Sequence, residues 1–185
     1  MTRHIMIDLE TMGKGPRSAI AAIGAVEFDP YGQGLGRELY HRVDLASSVA
    51  AGLVIDADTV VWWMKQSEEA RAELTNENNV PLHFALYDLA QMIAIDGHPA
   101  DTIVWANGTS FDFPILGHAY RACGMGQPWQ YFNERDWRTV RKVGPNVAFE
   151  RTGTHHNALA DACHQALHLQ LVMARLHQLD VAEAA

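Results

Sequence analysis

The sequence has few cysteines, few basic residues and no long hydrophobic run. Its two cysteines, Cys123 and Cys163, are too few for a disulfide framework and form no CxxC motif, so a reducing compartment fits best. No apolar run approaches the ~20 residues needed to cross a bilayer, and the first eight residues contain no apolar signal segment. We therefore expect a cytoplasmic protein with no membrane partner.

Basic residues are outnumbered, since 14 Lys and Arg face 22 Asp and Glu and the formal net charge is −8. This balance disfavours a non-specific duplex binder, which needs a basic surface. It permits an enzyme that meets phosphates through metal ions, because such a site is itself acidic. Hydrophobic residues make up 48% of the 185 residues, enough for one core. We predict one domain over residues 1–180 and a short tail at 181–185.

Hydrophobic patterning predicts a mixed α/β protein. We expect strands at 4–8, 19–28, 38–43, 102–106 and near Tyr131, the first three as an antiparallel meander. Helices are expected at 58–65 with Asp58 as N-cap, 67–74, 82–95, 111–123 with Ser110 as N-cap, 136–142 and 156–177, with a loop at 144–153. The buried side of the last helix is predicted to be Leu159, Cys163, Ala166, Leu167, Leu171 and Leu176. The element order predicts a five-stranded mixed sheet with helices on its faces.

Four carboxylates stand at the ends of predicted elements. Asp8 and Glu10 end the first strand and, being two residues apart, point to the same side. Asp112 and Asp161 fall in the first turns of helices, where a single acid is usually explained by the helix dipole. Together they indicate a carboxylate cluster of the kind that binds Mg²⁺ or Mn²⁺ in two-metal phosphoryl transfer.

Three motifs resemble those of the DEDD family of 3′→5′ exonucleases, in its DEDDh branch. Residues 7–11 match the family's strand-borne D-x-E-T, residues 107–112 are similar to its N-x-x-x-F-D, and residues 156–161 match its H-x-x-x-x-D. Segments 6–13, 55–63, 133–139 and 156–161 resemble, more narrowly, the compact prokaryotic and phage exoribonucleases of the mycobacterial type, also called exonuclease VIII-like. The motifs span nearly the whole chain in the family's order.

The resemblance implies a ribonuclease H-like fold and a hydrolase that shortens single-stranded or overhanging nucleic acid from its 3′ end, releasing nucleoside 5′-monophosphates. RNA is slightly favoured over DNA, and a homodimer is implied. Asp8, Glu10 and Asp161 would hold the Mg²⁺ that activates water, Asp8 would bridge to a second Mg²⁺, and Asp112 would act through a metal-bound water. Mn²⁺ is expected to substitute. His156 would be the general base, a role that suits an imidazole near neutral pH.

Residues beside these motifs are the candidate substrate contacts: Leu9, Thr11, Met12, Trp62, Asn107 and Phe111. Of the adjacent Trp62 and Trp63, at least one is expected in the core, leaving the other to stack on a base. Phe111 has core packing as its alternative role, and Asn107 has the ending of a strand.

Several alternatives stay open. Arg135 and Arg138 are candidates for phosphate contacts, subunit contacts or surface ion pairs. His164 and His168 have the i, i+4 spacing of zinc ligands but lack a matching Cys or acid. The enzyme could instead be a DNA proofreading or repair exodeoxyribonuclease, or the chain a non-catalytic nucleic-acid-binding module on the same fold.

Overall fold

The computed structural model describes residues 2–75, 78–94, 102–151 and 156–183. The strands are β1 (Arg3–Thr11), β2 (Ile20–Phe28), β3 (Leu35–Arg42), β4 (Thr102–Ala106) and β5 (Glu134–Asp136). They form one sheet in the order β3-β2-β1-β4-β5. The first three strands pair antiparallel, whereas β4 runs parallel to both β1 and β5. The predicted five-stranded mixed sheet with an antiparallel start is confirmed.

Seven helices lie in the described part of the chain: α1 (Leu45–Ala50), α2 (Ala57–Met64), α3 (Glu68–Ala72), α4 (Leu82–Ile93), α5 (Asp112–Ala122), α6 (Trp137–Val143) and α7 (Ala158–Glu183). Five of them begin where a side-chain oxygen accepts a backbone N–H of the first turn, and the capping residues are Asp44, Asp56, Ser67, Asp136 and Asn157. No helix among the described residues is long and apolar enough to cross a membrane.

Alternation along β1 separates two hydrophobic cores. Ile5, Ile7 and Leu9 belong to the larger core, which includes residues of α4 and α5. Met6 belongs to the smaller core on the other face of the sheet, together with residues of α7. Asp8 and Glu10 continue the even-numbered series, so their side chains leave β1 on the face that α7 covers.

Gly24 lets α7 approach the sheet beside this acidic pair. It is the register partner of Asp8 on the neighbouring strand β2. A Cβ atom built on Gly24 would lie 2.2 Å from the carbonyl carbon of Ala158, the first residue of α7. Because that contact is with backbone, no side-chain movement could relieve it. The glycine therefore sets how near the start of α7 comes to Asp8.

Some predicted boundaries are wrong. Tyr131 lies in a 3₁₀ turn (Tyr131–Asn133), and the fifth strand follows it as β5. Asp56 caps α2 in place of Asp58. Ser110 does not cap α5, whose N-cap position is Phe111 and has no side-chain hydrogen bond. Helix α1 was not predicted, because its six residues are too few to display a helical hydrophobic period.

The last helix differs most from its prediction. It begins at Ala158 instead of residue 156 and continues to Glu183, beyond the predicted start of the tail, while residues 184–185 lie outside the described chain. Its buried apolar residues are Ala158, Ala162, Ala166, Leu169 and Val172, and Leu171 is exposed. Small residues, not leucines, face the sheet in the first two turns, because the helix lies so close to β2. The helix predicted at 82–95 ends at Ile93, and residue 95 lies outside the described chain. Of the loop predicted at 144–153, residues 144–151 form no helix or strand, and residues 152–153 lie outside the described chain.

Candidate active site

Three carboxylates from two elements meet at one end of the sheet. Asp8 and Glu10 come from β1, and Asp161 comes from the first turn of α7. One oxygen from each lies within 4.8 Å of the other two. They line a cavity of about 300 Å³, to which His156 and Asn107 also contribute. An all-oxygen donor set of this kind fits a hard divalent cation such as Mg²⁺ or Mn²⁺.

Asp112 completes the predicted set of four acids but stands slightly apart from the other three. It is the first residue of α5, it is 3% exposed, and it follows β4, which runs parallel to β1 and ends at the same edge of the sheet. Burial raises the pKa of Asp112 to about 7, against hydrogen bonds from the backbone N–H groups of Asp112 and Leu9. Its charge raises the pKa of Asp8 in turn. Asp112 therefore lies near the cluster but outside its group of three ligands, and its action through water stays a prediction.

Burial and mutual repulsion disfavour the charged forms of the carboxylates in this cluster. Burial, and then repulsion from Asp112, Glu10 and Asp161, raises the pKa of Asp8 well above its usual range. Burial, followed by repulsion from Asp161 and Asp112, raises the pKa of Glu10 to about 8. Buried carboxylates repelling one another are the electrostatic signature of a site built for a cation.

Two further side chains bind the cluster, and neither was singled out in the sequence. The amide Nε2 of Gln165 donates to Oδ1 of Asp8 at 2.7 Å, and the guanidinium of Arg151 forms an ion pair with Asp161. Gln165 lies one helical turn after Asp161 on α7. This spacing could have identified Gln165, whereas Arg151 lies in a segment without any periodic pattern.

His156 lies outside α7, which corrects the prediction that it shares the helix with Asp161. Its φ of +61° makes it the one non-glycine residue with a left-handed backbone in the described chain. The next residue, Asn157, accepts the N–H of Ala160 at 2.9 Å through Oδ1 and donates from Nδ2 to Oε1 of Glu73 at 3.1 Å. The left-handed turn, not a helical face, thus directs His156 into the cavity.

The two tryptophans of α2 divide their roles as expected. Trp63 is 2% exposed and donates its indole N–H to the carbonyl oxygen of Thr11 at 3.0 Å. Trp62 is 41% exposed, and its ring meets His156 edge-on with a centroid distance of 4.9 Å. Trp63 is therefore the core residue, and Trp62 is the one available to stack on a base.

The other candidate substrate contacts are less exposed to solvent than Trp62. Leu9, Thr11 and Met12 are buried, so a contact there falls to backbone groups or needs the chain to open. Phe111 is partly buried and packs against the larger core. Asn107 lines the cavity, and its Oδ1 is buried without a hydrogen-bond partner among the described residues. All of these contacts stay predictions.

The two arginines near β5 bind the protein's own backbone. Arg135 donates to the carbonyl oxygens of Phe132 and Glu134, and Arg138 donates to that of Asn107 at 2.7 Å. Neither forms an ion pair within the described residues. Of the two, only Arg138 reaches the neighbourhood of the site.

The histidine pair on α7 packs among aromatic rings. His168 lies with its ring centroid 4.9 Å from that of Trp137, and its Nε2 is 2.9 Å from the carbonyl oxygen of Val147. His164 packs against Phe149 at 4.9 Å. Over the described ranges, the metal-binding group of three or more side chains contains carboxylates and no histidine. The structure thus gives no support to a zinc site at this pair.

Comparisons with known proteins agree with this geometry. A family model described as the 3′-5′ exoribonuclease Rv2179c-like domain matches residues 3–173. A protein of Enterobacteria phage T4 named exodeoxyribonuclease is 29% identical over 156 residues, which cover 72% of this chain and 68% of that protein.

Solved structures share the fold. Exonuclease I of E. coli, in complex with a dT13 oligonucleotide, matches with a TM-score of 0.68 at 16% identity, over 98% of this chain and 43% of that one. Exonuclease I of Methylocaldum szegediense matches with a TM-score of 0.69 at 15% identity, over 97% and 42%. The present chain thus spans less than half the length of these enzymes. The likeness confirms the ribonuclease H-like fold.

Proposed function

The chain belongs to the Rv2179c-like 3′-5′ exoribonuclease domain family, and from that membership we propose that it is a metal-dependent enzyme that shortens single-stranded nucleic acid from the 3′ end. The observation that carries the mechanism is the group of three carboxylates within 4.8 Å, with His156 on the wall of the same cavity. The product is a nucleoside 5′-monophosphate. The functional unit is a single domain over residues 1–180.

The carboxylates fit the divalent ions that the family implies. Asp8, Glu10 and Asp161 would hold them, and Asp112 would reach them through water. Two Mg²⁺ ions, replaceable by Mn²⁺, would supply the Lewis acidity that generates the nucleophile and neutralises the leaving oxygen. Gln165 donates a hydrogen bond to one oxygen of Asp8, which restrains that carboxylate in the metal-free protein.

His156 supplies the proton acceptor. Its ring lies against Trp62 and Trp63, which limits its motion, and its backbone is held by the capped start of α7. From this position the imidazole takes a proton from the attacking water. Trp62 offers an exposed ring beside the cavity, where the terminal base would stack.

The sugar preference is the finer part of the proposal. We favour RNA because the family is one of exoribonuclease domains. DNA is the second candidate, supported by the similarity to the phage T4 exodeoxyribonuclease. We also propose a homodimer, which rests on the resemblance alone, and a cytoplasmic location, which rests on the low cysteine count. A non-catalytic binding module is disfavoured, because mutually repelling buried carboxylates serve no purpose without a cation.

The test is a polarity assay with Mg²⁺ on 5′-labelled single-stranded RNA and DNA of one sequence. We expect ladders that shorten from the 3′ end, faster on RNA, and no cleavage in EDTA. Asp8→Asn should abolish activity, and His156→Ala should lower kcat by about 100- to 10,000-fold. His177→Ala, at an exposed position of α7, is the matched control. Activity that survives in EDTA or in Asp8→Asn would refute the proposal, and faster cleavage of DNA would select the second candidate.

A further inference from the structure

Arg151 places a positive charge inside the acidic cavity. Its guanidinium is paired with Asp161, one of the three clustered carboxylates, and its side chain is only 27% exposed. It also lowers the pKa of Glu10, against the larger upward effects of burial and the neighbouring acids. Among the described ion pairs, this is the one that involves a carboxylate of the cluster.

The guanidinium uses only part of its donor edge. Its Nη2 binds Oδ1 of Asp161, whereas its Nε is buried without a hydrogen-bond partner among the described residues. The Nε and Nη2 groups form the edge that binds carboxylates and phosphates through two parallel hydrogen bonds. An unpaired buried donor in a cavity is costly unless another ligand arrives to accept from it.

Asp161 is a ligand both for the Arg151 guanidinium and for the proposed divalent ion. The oxygen group that fits a divalent ion includes an oxygen of Asp161, and the same carboxylate already neutralises Arg151. An ion that binds Asp161 must weaken that ion pair, because the positive charges repel each other. The released guanidinium stays tethered at the cavity wall, where its full two-donor edge is free.

We propose that Arg151 is the counter-ion of the metal-free cluster. Once a divalent ion binds Asp161, the Arg151 guanidinium turns its Nε and Nη2 donors to a phosphodiester oxygen of the substrate. The first half concerns the protein without nucleic acid, and the second half rests on the proposed function. Arg151 thereby competes with metal in the resting state and binds substrate in the loaded state. Its removal should have opposite effects on metal affinity and on catalysis.

The experiment compares Arg151→Met, which keeps the apolar stem and loses the charge, with Arg151→Lys, which keeps the charge and loses the fork. Arg175→Met, at an exposed position of α7, is the control. Mn²⁺ binding is measured by calorimetry without nucleic acid, and kcat and KM are measured on a single-stranded oligonucleotide. Circular dichroism verifies that each variant is folded.

For Arg151→Met we expect Mn²⁺ to bind about 10-fold more tightly than to the wild type, and kcat/KM to fall by about 100-fold, the range of a lost charge-assisted hydrogen bond to phosphate. Arg151→Lys should keep wild-type Mn²⁺ affinity and still lose catalysis, since an ammonium cannot make the two-donor contact. Arg175→Met should match the wild type in both measurements.

Unchanged or weaker Mn²⁺ binding in Arg151→Met would overturn the counter-ion role. Unchanged kcat/KM in both Arg151 variants would overturn the phosphate role. Failure of the proposed function looks different, because then the wild type itself would not cleave nucleic acid. In that case tighter Mn²⁺ binding by Arg151→Met would still support the counter-ion role.

Discussion

Replacing Glu10 by glutamine should stabilise the metal-free protein at alkaline pH. Glu10 has a pKa of about 8 in the folded protein and an ordinary value of 4.5, because burial and then Asp161 and Asp112 disfavour its charge. The folded state therefore holds this proton more tightly than the unfolded state does. The associated stability is complete below pH 4.5 and is lost as the pH rises through about 8.

The size of this loss follows from the pKa difference. At about 1.4 kcal/mol for each tenfold change in proton affinity, Glu10 costs the metal-free protein up to about 5 kcal/mol above pH 8. The group is 8% exposed, so solvent screens the effect little. Glutamine keeps the shape of the side chain and cannot ionise, so this part of the loss disappears.

The assay is urea unfolding in EDTA, followed by tryptophan fluorescence, at about pH 5 and about pH 9. The free energy of unfolding of Glu10→Gln, relative to wild type, should rise by about 3–5 kcal/mol between the two pH values. Glu68→Gln, at an exposed position of α3, should show no such rise. A difference between Glu10→Gln and wild type that does not change with pH would refute the electrostatic reasoning.

Two further substitutions test the supports of the site. Gly24→Ala should lower the free energy of unfolding by about 3 kcal/mol and weaken Mn²⁺ binding, because the new Cβ would push α7 away from the sheet. The control is Gly126→Ala, a position with open space around it. Equal stability of the two variants in urea unfolding would contradict the argument. Asn157→Ala removes the cap of α7 and the bond to Glu73, so it should cost about 1 kcal/mol of stability and lower kcat more than KM by freeing His156. An unchanged kcat would show that the cap does not position the base.

Local geometry explains which parts of the site could be predicted. Asp8 and Glu10 were placed together because residues two apart share a face of any strand, whatever the rest of the fold does. Strand β4 was bounded correctly because Asn107 and Gly108 stop its apolar run. The predicted position of His156 was wrong because its five-residue spacing from Asp161 suggested one continuous helix. No sequence pattern indicates a left-handed backbone at a histidine.

The residues that sequence reasoning missed act across the fold. Gln165 binds a carboxylate 157 positions earlier, and Asn157 binds Glu73 across 84 positions. Such contacts depend on the register of β1 with β2 and on the packing of α7 against Gly24. Local hydrophobic periodicity predicts neither the register nor the packing. The carboxylates proposed to bind metal carry their signal in their own spacing because they need only one element each. The residues that neutralise and orient them carry no such signal, because any polar side chain brought to the same place by the fold could do the work. Arg151 is of this second kind. Its proposed role, competition with a metal ion for Asp161, follows from its contacts in the fold and not from its position in the sequence.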